Sequence, residues 1–187
     1  MTLRAIILYG PPTSGKDTIT AALSHADERF TYLKKLKVGG GRSVGYRPAS
    51  REQLDELRQE GRLAVETHRY GNVYAVDQAD VTAMLAAGAT PVVHMGNISD
   101  LRALSASDPD TWFRVRLHVP REVCEQRSRQ RGDADTSERL RAWDETLADL
   151  QAHDDGHTFH ICIETHLLDV DAAAQTIVTA LKITNDH

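Results

Sequence analysis

Seven residues near the start of the chain, Gly10-Pro11-Pro12-Thr13-Ser14-Gly15-Lys16, satisfy the spacing G-x-x-x-x-G-K. Glycines at that separation let the backbone curl until several N–H groups face one point. The lysine brings positive charge to the same point, so the loop suits the β- and γ-phosphates of a nucleotide. Asp17 follows where a Ser or Thr hydroxyl commonly ligates magnesium. Its carboxylate is the candidate metal ligand, directly or through water, with Thr18 as a nearby hydroxyl; the plainer alternative is a charge complementing a helix N-terminus. The implied donor is ATP with Mg2+, held by residues 10–18.

The flanking sequence supplies what such a loop requires. Ala5-Ile6-Ile7-Leu8-Tyr9 is a continuous apolar run, as in a parallel strand covered on both faces, and Ile19, Leu23 and Ala26 form one helical stripe after the loop. Ser50 with Gln53 reads as a capping box opening a short helix that ends near Gly61. Residues 63–67 and 72–76 read as a hairpin, and Asp77 caps a helix closing at Gly88. Residues 91–95 and 113–119 read as core strands, Pro120 as the first residue of a helix, and residues 140–150 as a further helix after a polar interruption. A last strand over 157–163 and a last helix over 170–181 complete a strand and helix alternation, which indicates a mostly parallel α/β sheet.

Composition narrows the partners. Asp plus Glu number 27 against 22 Lys plus Arg, leaving a net charge of −5, so no nucleic-acid-binding balance exists and any anion site must be a local cluster. No apolar run is long enough for a membrane span, and the opening residues are too short for a signal-peptide core, which predicts a cytoplasmic protein without a membrane partner. Cys124 and Cys162 lack metal or redox spacing and are expected to be buried thiols. His153 and His157 are interrupted by Asp154-Asp155-Gly156, which breaks the helix that a ligand pair needs. No N-K-x-D tetrad of a regulatory GTPase occurs.

Over nearly its whole length the chain resembles the guanylate-kinase-like family of nucleoside monophosphate kinases. Its G-x-x-x-x-G-K-D-T form is similar to ribose 1,5-bisphosphate phosphokinases and some phage deoxynucleoside monophosphate kinases. A gapless match to the family's T-T-R-x-P-R and S-R-E segments places Lys34 and Lys37 on its two phosphate-holding arginines and Tyr46 on its tyrosine, with Arg42 as an additional cation. Glu66 to Val76 is similar to E-x-x-G-N-Y-Y-G-[ST] with two extra residues. The resemblance therefore implies Glu66 as a base-reading carboxylate and Tyr74 as an acceptor-phosphate contact. Val76 replaces the hydroxyl that reads guanine O6, leaving a carbonyl unpaired at a cost of about 1 to 3 kcal/mol, and argues against unmodified guanine. Arg127-Ser128-Arg129-Gln130-Arg131-Gly132, with Arg139 and Arg141 beyond, is similar to the family's lid. By that match Lys16, Arg131 and Arg141 are the catalytic cations, Arg139 standing in for Arg141 if the alignment shifts.

The expected fold is a single three-layer α/β P-loop domain over 1–187, with an acceptor-binding insert at about 30–78 and a mobile lid at about 128–140. The expected function is phosphoryl transfer from ATP to a small phosphorylated acceptor. That acceptor is a nucleoside monophosphate with a base other than plain guanine, or a sugar phosphate such as ribose 1,5-bisphosphate. A non-catalytic guanylate-kinase-like binding module is the reading from another class; intact Gly10, Gly15 and Lys16 stand against it. The partner is a small molecule and the protein a monomer or homodimer.

Overall fold

The computed structural model describes residues 3–41, 43–69, 71–106, 108–132 and 135–186; Arg42 lies outside them. Strand β1 (Ala5–Tyr9) is buried at all five positions. Its alternation splits it between two cores. Ile6 and Leu8 join Ile19, Leu23, Ile177 and Leu181 on one face, whereas Ala5, Ile7 and Tyr9 join Leu101, Leu104 and Leu150 on the other. A strand apolar on both sides thus requires helices on both sides, which makes the three layers.

Beside it run β2 (Phe30–Tyr32), β7 (Thr90–Met95), β8 (Trp112–His118) and β9 (Ile161–Glu164), in the order β2-β7-β1-β8-β9 and all parallel. The phosphate loop leaves the central strand and leads into α1 (Lys16–Ala26), which buries Ile19 and Leu23 against α7 (Val170–Asn185). Burying each such side chain contributes about 1.5 to 3 kcal/mol.

A second sheet, in the order β4-β3-β6-β5, is built from β3 (Leu36–Val38), β4 (Arg47–Pro48), β5 (Leu63–Arg69) and β6 (Asn72–Asp77). It packs Leu36, Leu54 and Ala75 in a small core of its own with α2 (Arg51–Gln59). Ser50 and Gln53 form the reciprocal capping box, and Asp77 caps α3 (Gln78–Ala86) by accepting from Ala79 N. The short strand Phe30–Tyr32, within the span expected for the insert, pairs with β7 in the main sheet, so the small sheet begins only at Leu36.

Three expectations change. A helix, α4 (Ile98–Ala106), fills a stretch with no expected element; Asn97 Oδ1 accepts from Asp100 N at 2.7 Å to start it, and Ile98, Leu101 and Leu104 make its buried stripe. Pro120 is the cap and α5 (Arg121–Gln130) begins one residue later. Cys124 is buried but Cys162 is exposed, because β9 is an edge strand and Ile163, not Cys162, faces α7.

The long helix α6 (Thr136–His153) is anchored at its C-terminal half. Asp149 accepts from the Tyr9 hydroxyl at 2.9 Å and from Ile98 N at 2.8 Å, tying α6 to the end of β1 and the start of α4. Burial, then that bond to Asp149, raises the Tyr9 pKa, so the phenol stays a donor. Trp143 Nε1 donates to Val119 O at 2.8 Å. Arg139, Ala142 and Thr146 of α6 line one cleft together with Gly10, Thr13 and Lys16 of the loop.

Candidate active site

Gly10 is fixed by crowding, since a Cβ there would lie 2.6 Å from Leu117 O and 2.8 Å from Ser14 Oγ. Gly15 has φ 95°, a left-handed backbone that L side chains resist. Thr13 adopts φ 60° although it is not glycine, and its buried hydroxyl has no hydrogen-bond partner. A strained residue with an unpartnered buried hydroxyl marks this loop as a candidate binding segment. Lys16 Nζ meanwhile donates to Gly10 O at 2.6 Å and Pro11 O at 2.7 Å. Burial pulls its pKa down to about 8, partly offset by Asp17, so the amine is still mostly charged at neutral pH.

One cleft of about 320 Å³ joins this loop to the small sheet. Among the described residues it is lined by five cationic side chains, Lys16, Lys35, Arg69, Arg131 and Arg139, against two carboxylates, Asp17 and Asp100. They come from α1, the β2–β3 connection, β5, the end of α5 and α6. Such convergence in a protein of net charge −5 is the local cluster of positive charge that an anion site would need.

The expected acceptor residues divide by strand alternation. Tyr46 and Tyr74 line the cleft with ring centroids 5.1 Å apart, and the buried Lys37 ammonium lies 5.7 and 5.8 Å from them while donating to Gly40 O at 2.6 Å. Lys34 is exposed outside the cleft; its neighbour Lys35 points inward, because the gapless match counts through a turn as though it were a strand. Among the described residues the Lys35 amine has one hydrogen-bond partner, the weakly accepting Met95 sulfur at 3.2 Å. Burial lowers its pKa to about 8, against a pull upward from Asp100.

Glu66 also faces away. It pairs with Arg58 at 2.9 Å and with His68 at 2.9 Å over a separate hollow on the outer face of the hairpin. Thr67 faces the cleft instead, as a period of two demands, and the long side chain of Arg69 lines both hollows. Thr67 donates to the buried Asp100, which also accepts from Asn97 Nδ2 at 2.9 Å; Arg69 pairs with Glu145 of α6. Sequence reasoning missed Thr67, Arg69, Asn97 and Asp100. The signal was the hairpin's alternation, which puts Thr67 and Glu66 on opposite faces once either is placed.

Of the lid arginines, Arg131 and Arg139 line the cleft, and Arg139 donates to Asp135 at 2.9 Å. Arg141 is exposed and outside it, two residues round the helix from Arg139. Arg127 donates to Thr13 O at 3.1 Å and Thr165 O at 2.8 Å, holding the phosphate loop to the β9–α7 connection. A further hollow, lined by Thr13, Gly15, Arg127, Arg131, Thr165 and Leu168 among others, opens there, so Arg131 sits at the junction of two cavities. Asp17 is exposed at the cleft mouth with its Oδ1 3.7 Å from His94 Nδ1.

No family model matches the chain and no curated protein matches it. Solved structures do. A guanylate kinase from Anaplasma phagocytophilum is similar at 15% identity and TM-score 0.68, with 98% of this chain and 87% of that chain covered. The fold is that of the P-loop kinases. A gluconokinase from Sinorhizobium meliloti shares the P-loop kinase fold at 17% identity and TM-score 0.58, covering all of this chain and 96% of that one. YorR protein from Bacillus subtilis, solved in complex with phosphorylated GDP, shares it at 17% identity and TM-score 0.51 with 98% of each chain covered. Within that P-loop kinase fold, no helix among the described residues is long and apolar enough to cross a membrane.

Proposed function

We propose that the chain is an ATP-dependent phosphotransferase acting on a small phosphorylated acceptor. The observation that carries this reading is the single cleft in which cations from five separate segments face the phosphate loop. The triphosphate occupies the loop, its γ-phosphate displacing the carbonyls that Lys16 now binds. The adenine lies in the hollow between Arg127 and Leu168, whose exposed apolar side chain offers a surface for a flat ring. Asp17 at the mouth would hold the Mg2+, which when bound neutralises charge on the β- and γ-oxygens. An acceptor phosphate is already a competent nucleophile, so catalysis rests on positioning and on charge neutralisation by Lys16, Arg131 and Arg139.

At the acceptor end, Tyr46 and Tyr74 hold one phosphate, with the Lys37 ammonium behind their rings outside the cleft lining, and Lys35 with Arg69 supplies further charge. Glu66, committed to Arg58, leaves the cleft without the hairpin carboxylate that would read a guanine edge. Asp100, Asn97 and Thr67 offer hydroxyl-pairing groups in its place. These features favour a sugar phosphate carrying a second anionic group, such as ribose 1,5-bisphosphate, over a guanine nucleotide. Release of ADP from ATP against a panel of nucleoside and sugar monophosphates and bisphosphates tests both: turnover on a sugar bisphosphate is expected, and no ADP with any acceptor would leave a non-catalytic binding module. Lys35→Ala should raise the acceptor KM on the order of tenfold or more while the ATP KM stays within a factor of two, since a cation meeting only the acceptor contributes about 1.4 kcal/mol or more there.

A further inference from the structure

His94 ends β7 inside the cleft, where it is 13% exposed and its ring lies 4.6 Å from that of Tyr32. Its Nε2 is 2.8 Å from Thr20 Oγ1. The Thr20 hydroxyl spends its one proton on Lys16 O at 2.8 Å, so its oxygen accepts and Nε2 carries the hydrogen. With the hydrogen on Nε2, a neutral ring carries its lone pair on Nδ1, which lies 3.7 Å from Asp17 Oδ1. Both Nδ1 and Oδ1 are lone-pair donors, 3.7 Å apart. Donors at that spacing lie within reach of one ion whose bonds are roughly 2.0 to 2.2 Å.

We propose that His94 Nδ1 and Asp17 Oδ1 together form a nitrogen and oxygen half-site for a divalent cation, completed by nucleotide phosphate oxygens and water, which favours a transition-metal ion over Mg2+. Among the described residues no group of three His, Cys, Asp or Glu side chains is placed to hold a metal ion, so in this proposal the chain contributes two ligands and the nucleotide furnishes the rest. The preference follows from ligand hardness, because Mg2+ takes oxygen donors whereas imidazole suits first-row transition ions. Thr20 is the group that fixes the ring, in the manner of an outer-shell partner that sets the tautomer of a ligating histidine.

The inference rests on the nucleotide reading, and its test separates the two. The chain is loaded with Mn2+ and β,γ-methylene ATP, a ligand without nitrogen in its phosphate chain, and examined by electron spin-echo envelope modulation with histidines at natural abundance and labelled with 15N. His94 is the histidine of the cleft, so imidazole modulation that changes isotope on labelling supports the half-site. Calorimetry then gives the ratio of Mg2+ to Mn2+ dissociation constants, expected to fall at least tenfold in His94→Asp, which exchanges the nitrogen for oxygen; His94→Asn, which removes the Nδ1 lone pair, should weaken Mn2+ binding without weakening Mg2+ binding. Nucleotide and Mn2+ binding without histidine modulation would overturn the half-site alone. Failure of the nucleotide to bind would overturn both readings.

Discussion

Lys16→Ala should abolish phosphoryl transfer while leaving the fold intact. The amine reaches Gly10 O and Pro11 O at 2.6 and 2.7 Å with no phosphate present, so it already sits at the mouth of the loop that a γ-phosphate enters. Removing one neutral donor from a transition-state oxyanion costs on the order of 10² to 10³ in rate, and removing a full charge should cost on the order of 10³ or more in kcat/KM. The fold should not suffer. Burial lowers the Lys16 pKa from its ordinary value to about 8, so the folded state disfavours the charged form; that cost is fully present below about pH 8 and is relieved as pH rises above it. Deleting the amine removes the cost, and the Tm at pH 7 should be unchanged or raised. The same shift gives the wild type a falling limb near pH 8 in kcat/KM for ATP, as the free enzyme loses this proton. Full activity in Lys16→Ala, or a Tm several degrees lower, would withdraw the assignment.

Arg131→Ala should lower the chemical step by a factor on the order of 10² to 10³ with little change in the ATP dissociation constant. Arg131 lines both cavities, so in the proposed reaction it stands where charge would spread over the transferring group. Arg139→Ala should behave likewise on a smaller scale, since its guanidinium must first leave Asp135. Arg141→Ala, exposed on the outer side of α6, should leave the rate within a factor of two. Single-turnover transfer at saturating ATP and acceptor distinguishes these; a normal chemical step in both Arg131 and Arg139 variants would return the lid arginines to solvent.

The nucleotide half of the site was legible because its determinants are local. Gly10, Gly15 and Lys16 lie within seven residues, and an apolar strand and an amphipathic helix on either side fix where they point. Of the residues expected at the acceptor end, Tyr46 and Tyr74 line the cleft, whereas the register of the others was not legible. Lys34 and Lys35 differ by one position, and which of them faces inward depends on a turn after β2 that has no period to read. Glu66 and Thr67 differ in the same way, and two extra residues in the hairpin removed the fixed spacing from Gly71 that would have chosen between them. Asp100 was invisible because α4 begins at an Asn97 cap within a stretch whose large apolar residues are only three, Ile98, Leu101 and Leu104. Arg139 and Arg141 stand about 200° apart on a helix, so a two-residue alignment error turns a cleft residue into a solvent one.

The two sheets keep largely separate interiors. Around β1 lie two cores with more than a dozen buried residues each, while the four-stranded sheet holds Leu36, Leu54 and Ala75 and touches the larger body through Val65 and Val76. Local opening scales with the apolar area that must be exposed, so backbone amides of β3 and β6 should exchange with solvent far sooner than those of β1 and β7. Substitution in the small sheet therefore perturbs a subglobal unit whose loss leaves the phosphate loop standing. A lineage can re-cut the pocket around Lys35, Tyr46 and Thr67 without endangering the loop at residues 10–16, and divergence among chains with this architecture should collect in residues 35–77.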